Sequence, residues 1–475
     1  MEFHISLIGR KDLSGEIYRQ LRRAIVDGRL RPTDLLPPSR ELARRLGVSR
    51  TTVTVAYDRL AGEGFVSSHV GAGTFVSERV PRVSGLGKQH RSGGILTPRD
   101  IWETVPLAAP FARPARFDFR SGLPDASCFP HDAWRRLLER EFRSEALGGG
   151  VYADPAGHPG LRQAISRHIA ISRGVETDPD SVTITNGSQQ AIDIIGRILL
   201  NPGDCVAVED PGYPPPRRLF TTIGARVAGV PVDEQGLVVE ALPRRARLIY
   251  VTPSHQYPLG VSMSLPRRIE LLAWAEEHDA AIIEDDYDSE FRFGGRPIEP
   301  LQTMDTSGRV IYVGSFSKTL LPTLRLGFMV TPPSLVTAAH KAKQVTDWHT
   351  SMAIQAPLAR FIDSGGFARH IRKVGGIYRD RHERIVQILA RDFRAYLELI
   401  PSAVGLHVAA FARNASADQV DAVVQRASNK GVEVQRLSYY EVDTPPRPGL
   451  VLGYGAIETS QVEEGLRLLL ASFKE

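Results

Sequence analysis

Cysteine is nearly absent from this chain of 475 residues, which has only Cys128 and Cys205. Two thiols exclude a disulfide-built scaffold and cannot make a four-cysteine zinc site, and no metal centre is expected. No apolar run approaches the roughly 20 residues a membrane-spanning helix needs. The first residues, MEFHISLIGRKDLSGE, lack the long apolar core of an export signal, so the expectation is a cytoplasmic protein without membrane contact. No internal repeat is visible. With 42% hydrophobic and 24% charged residues, chain-wide disorder, collagen and a continuous coiled coil are also excluded. What the chain has is length. At about 150 residues per domain it predicts about three structural units with full-sized cores.

The net charge of +5 is unevenly spread. Residues 1–116 hold 19 Lys+Arg against 11 Asp+Glu, and the rest 40 against 43. The basic end is therefore the place to look for nucleic acid, although a solvated basic face would look the same. Residues 12–76 read as three helices and a short hairpin. Ser39, after a Pro pair, is expected to cap a helix RELARRLG in which Leu42 and Leu46 share a face. Gly47 suits a tight turn. Ser49 is expected to cap a second helix, where Val53, Ala56, Tyr57 and Leu60 form a core stripe. That leaves Arg50, Thr51 and Thr52 on an exposed first turn, as in a recognition helix entering the major groove. GFVSSHVGAGTFV then reads as two strands about a Gly-rich tip, a wing along the phosphates.

Residues 80–116, rich in Pro, Gly, Ser and Arg, read as a linker with a short helix near Arg99–Thr104. From Phe117 onward, helical patterns alternate with SVTIT, CVAVE, ARLIYVT, AAIIEDD and RVIYVGS. This predicts an α/β domain with a mostly parallel sheet, followed by a smaller subdomain. Four segments carry chemistry. In YVGSFSKTLLPTLRLGFMV, Lys318 follows a strand. A lysine amine becomes a Schiff-base nucleophile where its ammonium form is disfavoured. Arg325 can clamp a phosphate, and Ser315 and Ser317 supply hydroxyls. In AAIIEDDYDSEFRF, Asp285 and Tyr287 share a strand face, with Asp286 a competitor if the strand ends early. An aspartate there suits the pyridinium nitrogen of pyridoxal phosphate (PLP), and a tyrosine its ring oxygen. In TITNGSQQAIDII, Gly187 and Ser188 open a helix whose N-terminus can hold phosphate. In VEDPGYPPP, Tyr213 can stack on an aromatic ring. Each segment alone also has a bland reading as turn, strand end or surface lysine.

The N-terminal segment LPPSRELARRLGVSRTTVTVAYDRLAGEGFV…GAGTFV closely resembles the GntR-type winged helix. That resemblance implies Arg40 and Arg50 near DNA, with Ser49, Thr51 and Thr52 reading or positioning. Arg40 pairing with Glu41 is the alternative. The four C-terminal segments resemble, in order and spacing, the class-I aminotransferases of fold type I. The resemblance implies that Lys318 holds PLP covalently, Asp285 pairs with the ring nitrogen and Tyr287 with the ring oxygen. It also implies that Tyr213 stacks, that Gly187, Ser188, Ser315, Ser317 and Arg325 hold the phosphate, and that Tyr152 reaches the phosphate in a partner subunit. Tyr257 stands where many aminotransferases carry asparagine.

The composite resembles the MocR/GabR-type regulators. It implies a winged helix-turn-helix (residues 1–79), a linker (80–116) and an α/β fold-type-I PLP-dependent transferase-like domain with large and small subdomains (117–475). It further implies a head-to-tail homodimer that binds operator DNA and senses PLP, with control of vitamin B6 synthesis in view, or an amino compound. A working aminotransferase with an accessory DNA-binding domain is the rival reading. By the same resemblance, the arginine that takes a substrate carboxylate is expected on GLVLGYG, where Val451 stands. A second would lie just after the stacking tyrosine, at Pro215. Neither offers a cation, so poor transamination is expected. Arg217 and Arg218 would substitute only if their loop folded inward, and surface exposure is expected for both.

Overall fold

The computed structural model describes residues 5, 7, 12–69, 72–78, 96–107, 115–142, 150–294 and 298–475. Two compact units emerge, Met1–Pro98 and Arg99–Glu475. The break falls inside the stretch read as a linker, most of which lies outside the described residues, as do positions 70 and 71 at the tip of the wing.

In the first unit, helices Leu13–Val26, Ser39–Leu46 and Arg50–Gly62 precede strands Val66–His69 and Gly73–Val76. The strands pair antiparallel, with Val66 opposite Val76. Ile17, Leu21, Leu42, Val53, Ala56, Leu60, Val66 and Val76 form one buried core. Gly47 ends the second helix at φ +66. Ser49 caps the third, its Oγ accepting from the Thr52 N–H at 3.1 Å. The cap expected at Ser39 is corrected. Pro38 holds the N-cap position and Ser39 is the first helical residue. Its hydroxyl instead accepts from Arg50 Nε at 3.4 Å, linking the two helix starts.

In the second unit an eight-stranded sheet runs Val182–Thr185, Gly327–Val330, Val310–Ser315, Ala281–Asp286, Ala246–Val251, Cys205–Asp210, Arg226–Asp233, Gly236–Leu237. The five strands from Val310–Ser315 to Arg226–Asp233 are parallel neighbours, and Gly327–Val330 runs against both its neighbours. Ile283, Ile311 and Val313 are fully buried in one apolar layer; Ile249 and Ile282 are equally buried in another. Helices on both faces explain why these strands read as continuous apolar runs. A smaller antiparallel sheet, Leu397–Leu399, His407–Ala412, Gly449–Gly453 and Gln435–Arg436, forms the small lobe. The short helix in the linker region spans Ile101–Thr104. Among the described residues no helix is long and apolar enough to cross a membrane.

Candidate cofactor site and DNA-reading face

Open parallel sheets gather ligands at the carboxyl ends of their strands. Here that edge carries Asp285 near the end of Ala281–Asp286, Tyr250 near the end of Ala246–Val251, and Ser315 at the end of Val310–Ser315. Gly187 and Tyr213 follow two further strands. A cavity of about 430 Å3 opens there, lined by Lys318, Asp285, Tyr287, Tyr213, Ser188, Ser315, Ser317 and Arg325 among others.

Lys318 Nζ donates to the Gly122 carbonyl at 2.7 Å. Lys318 is half-buried, and poor solvation of its amine pulls the pKa below the ordinary lysine value, while Asp288 and Asp285 oppose that shift. This is the environment a nucleophilic amine needs. Asp285 is buried, and desolvation raises its carboxyl to about 7 against the pull of the Tyr250 hydroxyl and Lys318. Tyr250 donates to Oδ2 at 2.7 Å, whereas Oδ1 is buried without a partner among the described residues. An orphaned carboxylate oxygen costs about 1–3 kcal/mol or more until a donor arrives. A protonated ring nitrogen is such a donor.

Asp286, the competitor, faces the other way. It takes Arg173 Nε at 2.8 Å and the Tyr312 hydroxyl at 2.6 Å, and it does not line the cavity. Tyr287 lines the cavity and donates to the His255 carbonyl at 2.9 Å. Its oxygen also lies 3.1 Å from His255 Nδ1, which both oxygens of Asp288 approach at 3.1 Å.

The phosphate-sized corner is built by close approach. Gly187 sits at φ +80 before helix Ser188–Leu199, and a Cβ there would lie 3.0–3.2 Å from the Arg325 guanidinium. Arg325 Nη2 donates to the Asn186 carbonyl at 2.7 Å, and the Ser317 N–H donates to Ser315 Oγ at 3.1 Å. The helix start offers free N–H groups beside a guanidinium and two hydroxyls. Tyr213 meets Tyr257 edge to face at 5.6 Å. Tyr257, in the asparagine's place, bonds the Ser121 hydroxyl at 2.6 Å and donates to the Tyr440 hydroxyl at 3.0 Å. Tyr152 does not line this cavity. It is exposed and packs at a tilt against Trp348, ring centroids 4.6 Å apart.

Val451 is fully buried in a core with Leu437 and Tyr440 and does not reach the cavity; Pro215 lines it. The surface exposure expected of Arg217 and Arg218 is corrected, because both are half-buried. Helix Pro214–Thr222 turns them inward: Arg217 meets Asp443 at 3.1 Å and Arg218 lines the cavity. Sequence reasoning also missed Tyr250, Gly122, Gln435, Tyr439 and Tyr440. The first was within reach, because its strand neighbours the one that carries Asp285. The others come from the small lobe or from turns without a motif. The loop after Tyr440 is held by Asp210, whose carboxylate accepts from the N–H groups of Val442, Asp443 and Thr444 at 2.7–2.9 Å.

On the first unit, Arg40, Ser49, Arg50 and Thr51 are exposed and Thr52 is half-buried. Glu41 pairs with Arg45, not with Arg40, which leaves Arg40 and Arg50 without acidic partners among the described residues. Two cations unpaired with acid groups, beside an exposed helix start, fit phosphate and base contacts.

Residues 124–465 match the family described as "Aminotransferase class I and II", and residues 13–76 match "Bacterial regulatory proteins, gntR family". The second unit is a fold-type-I domain whose cofactor is PLP, joined to a GntR-type winged helix that binds DNA. In solved structures it is similar to kynurenine aminotransferase of Pyrococcus horikoshii, determined in complex with PMP. That match has 29% identity and TM-score 0.70 and covers 75% of this chain and 90% of that one. The multiple substrate aminotransferase of Thermococcus profundus is similar at 28% identity and TM-score 0.70, over 82% and 96%. Along nearly its whole length the chain is 39% identical to the probable rhizopine catabolism regulatory protein MocR of Rhizobium meliloti, covering 96% of this chain and 93% of the relative. It is 32% identical to the pyridoxine biosynthesis transcriptional regulator PdxR of Corynebacterium glutamicum, over 97% and 95%. The chain belongs to the MocR-type family of transcriptional regulators.

Proposed function

We propose that this regulator senses its signal in the cavity built around Lys318, and that the signal is either PLP itself or an amino compound that enters beside it. Control of vitamin B6 synthesis is the first candidate role. The observation that carries the reading is the pairing, in one cavity, of an under-solvated Lys318 amine with a buried Asp285 oxygen that has no donor. Bound PLP supplies an aldehyde for the lysine and an electron-withdrawing ring. Lys318 is the covalent anchor, Asp285 holds the ring nitrogen's proton, and Tyr287 faces the ring oxygen. Tyr213 covers the ring, while Gly187, Ser188, Ser315, Ser317 and Arg325 take the phosphate. Arg40, Ser49, Arg50, Thr51 and Thr52 form the operator-reading face.

The working form is a cytoplasmic head-to-tail homodimer, with Tyr152 completing the partner's phosphate site. Weak transamination of α-amino acids is part of the proposal: Val451 and Pro215 give their carboxylate no cation, and among the described residues the one further arginine on the cavity wall besides Arg325, Arg218, stands on helix Pro214–Thr222. Footprinting of the DNA upstream of the chain's own gene tests the reading, using cofactor-free protein, PLP and candidate amines. Protection that changes with PLP or with an amine supports it. Steady turnover of amino-acid and oxo-acid pairs without sequence-specific protection would make the protein an enzyme with an accessory domain.

A further inference from the structure

Two residues outside the cavity, Asp347 and Lys343, stand where their charge is disfavoured. Asp347 is the last residue of helix Pro333–Asp347, where the helix dipole opposes a negative charge. Lys343, one turn earlier, has a fully buried side chain, and a buried ammonium is costly unless it is paired. The two pair with each other, Nζ donating to Asp347 Oδ1. Neither lines the cofactor cavity. A helix end tied down by its own ion pair would need nothing more, yet the second oxygen of Asp347 is engaged as well.

That oxygen, Oδ2, accepts from Asn186 Nδ2 at 2.6 Å and from Gln190 Nε2 at 2.7 Å. Gln190 in turn accepts the Asn186 N–H through Oε1 at 2.8 Å. Asn186 is thereby held at both its side chain and its backbone. Its carbonyl is the acceptor that fixes Arg325 Nη2 at 2.7 Å. Arg325 needs such a hold, because its own backbone is left-handed at φ +51. The Gly187 carbonyl takes the Thr185 hydroxyl at 3.0 Å and the Gln190 N–H at 3.2 Å. Gly327 packs against the same turn: a Cβ there would lie 2.8–3.0 Å from the backbone of Gly187 and Ser188. With its carbonyls so occupied, the turn presents the N–H groups of Gly187, Ser188 and Gln189, which donate to nothing among the described residues.

We propose that Asp347 is a positioning residue for the phosphate corner. Through Asn186 and Gln190 it fixes the turn that aims these N–H groups and the Arg325 guanidinium at one anion. It thereby sets the chain's preference for a phosphorylated ring aldehyde over the unphosphorylated one. Lys343 neutralises Asp347, so a carboxylate stands behind an anion site without repelling the anion. An asparagine at position 347 cannot take over this role, because its single carbonyl oxygen serves either the two amides or the lysine. The inference rests on the reading of the cavity as a PLP site with its phosphate at Gly187, and it adds a residue that never touches the cofactor.

The test uses the full chain, stripped of cofactor and titrated with PLP and with pyridoxal, the same aldehyde without its phosphate. Visible absorbance of the bound aldehyde and its borohydride fixation at Lys318 report both. Wild type should bind PLP the more tightly. In metal sites the outer partners that orient the binding groups carry about 10–100-fold of the affinity, and Asp347→Asn should likewise weaken PLP about tenfold. Its affinity for pyridoxal should stay unchanged. Asp347→Glu, which keeps the charge, should retain part of the preference. Gln190→Met removes the amide that bridges Asp347 and the Asn186 N–H, and it should repeat the loss. A preference unchanged in Asp347→Asn, or in Gln190→Met where the first variant does not fold, would overturn the proposal. Equal weakening of both aldehydes would overturn it too, by making Asp347 a support of the fold alone. A wild-type chain that fixes no aldehyde at Lys318, or takes both equally, defeats the reading of the cavity itself.

Discussion

Tyr250 and Asp285 share a 2.7 Å hydrogen bond that satisfies one carboxylate oxygen and leaves the other, equally buried, waiting for a donor. Burial holds that carboxyl at about 7 instead of 3.8. Between those values the folded, cofactor-free chain keeps a proton that the unfolded chain has released. Its contribution to stability is full below about pH 4 and is lost as the pH rises to about 7. At about 1.4 kcal/mol per pKa unit the ceiling is about 4 kcal/mol. Urea midpoints of the cofactor-free protein should fall across this window, and Asp285→Asn should make the fall shallower. Part of the slope should survive in the variant, because Glu209 is also held up at about 7 by burial. An unchanged slope would remove Asp285 from this role.

Replacing Lys318 by Ala should give a colourless protein. The wild-type chain with PLP should be yellow and should retain the cofactor through denaturation after borohydride reduction. Mass spectrometry of the reduced variant is the check, and a retained covalent adduct would place the anchor on another lysine.

Gly187→Ala attacks the phosphate corner twice. The left-handed backbone at φ +80 disfavours a side chain, and the new methyl would press on the Arg325 guanidinium. Backbone strain of this kind costs about 1–3 kcal/mol. PLP affinity should fall tenfold or more with little change in far-ultraviolet circular dichroism. Unchanged affinity would mean that the phosphate lies elsewhere.

Arg50→Ala should weaken operator binding by about 1–3 kcal/mol if the side chain meets a base edge. Gel-shift titrations on operator and random DNA separate the cases. An equal loss on both would make Arg50 a phosphate contact, with a shallower salt dependence. Footprints of the dimer should show two half-sites about one helical turn apart, or a multiple of it.

The strands, the helix stripe Val53–Leu60 and the order of the site segments could be read from the sequence because each is a local pattern. Lys318 and Asp285 stand out because strand ends and turn residues surround them. The cavity's other wall could not be read in this way. Tyr250 lies 35 residues before Asp285, and only the register of two parallel strands brings them together. Tyr439, Tyr440 and Gln435 come from the small lobe, where nothing in the local sequence says which way they face. Ser39 has the composition of a cap, but the preceding proline occupies the cap position and shifts it into the first turn. Arg218 looked like a surface residue because neighbouring arginines on a helix usually are. Its placement depends on how helix Pro214–Thr222 meets the small lobe, a tertiary fact.

The grip of Asp210 on three successive amides, those of Val442, Asp443 and Thr444, makes that stretch behave as a single latch. Its amide protons should exchange with solvent together when that one carboxylate withdraws, which hydrogen-exchange mass spectrometry would check. The latch begins two residues after Tyr440, so the aromatic wall over the cavity is hinged to the end of a central strand. A ligand that displaces the wall should therefore pull on that strand end, and one that fits beneath it should leave the latch shut.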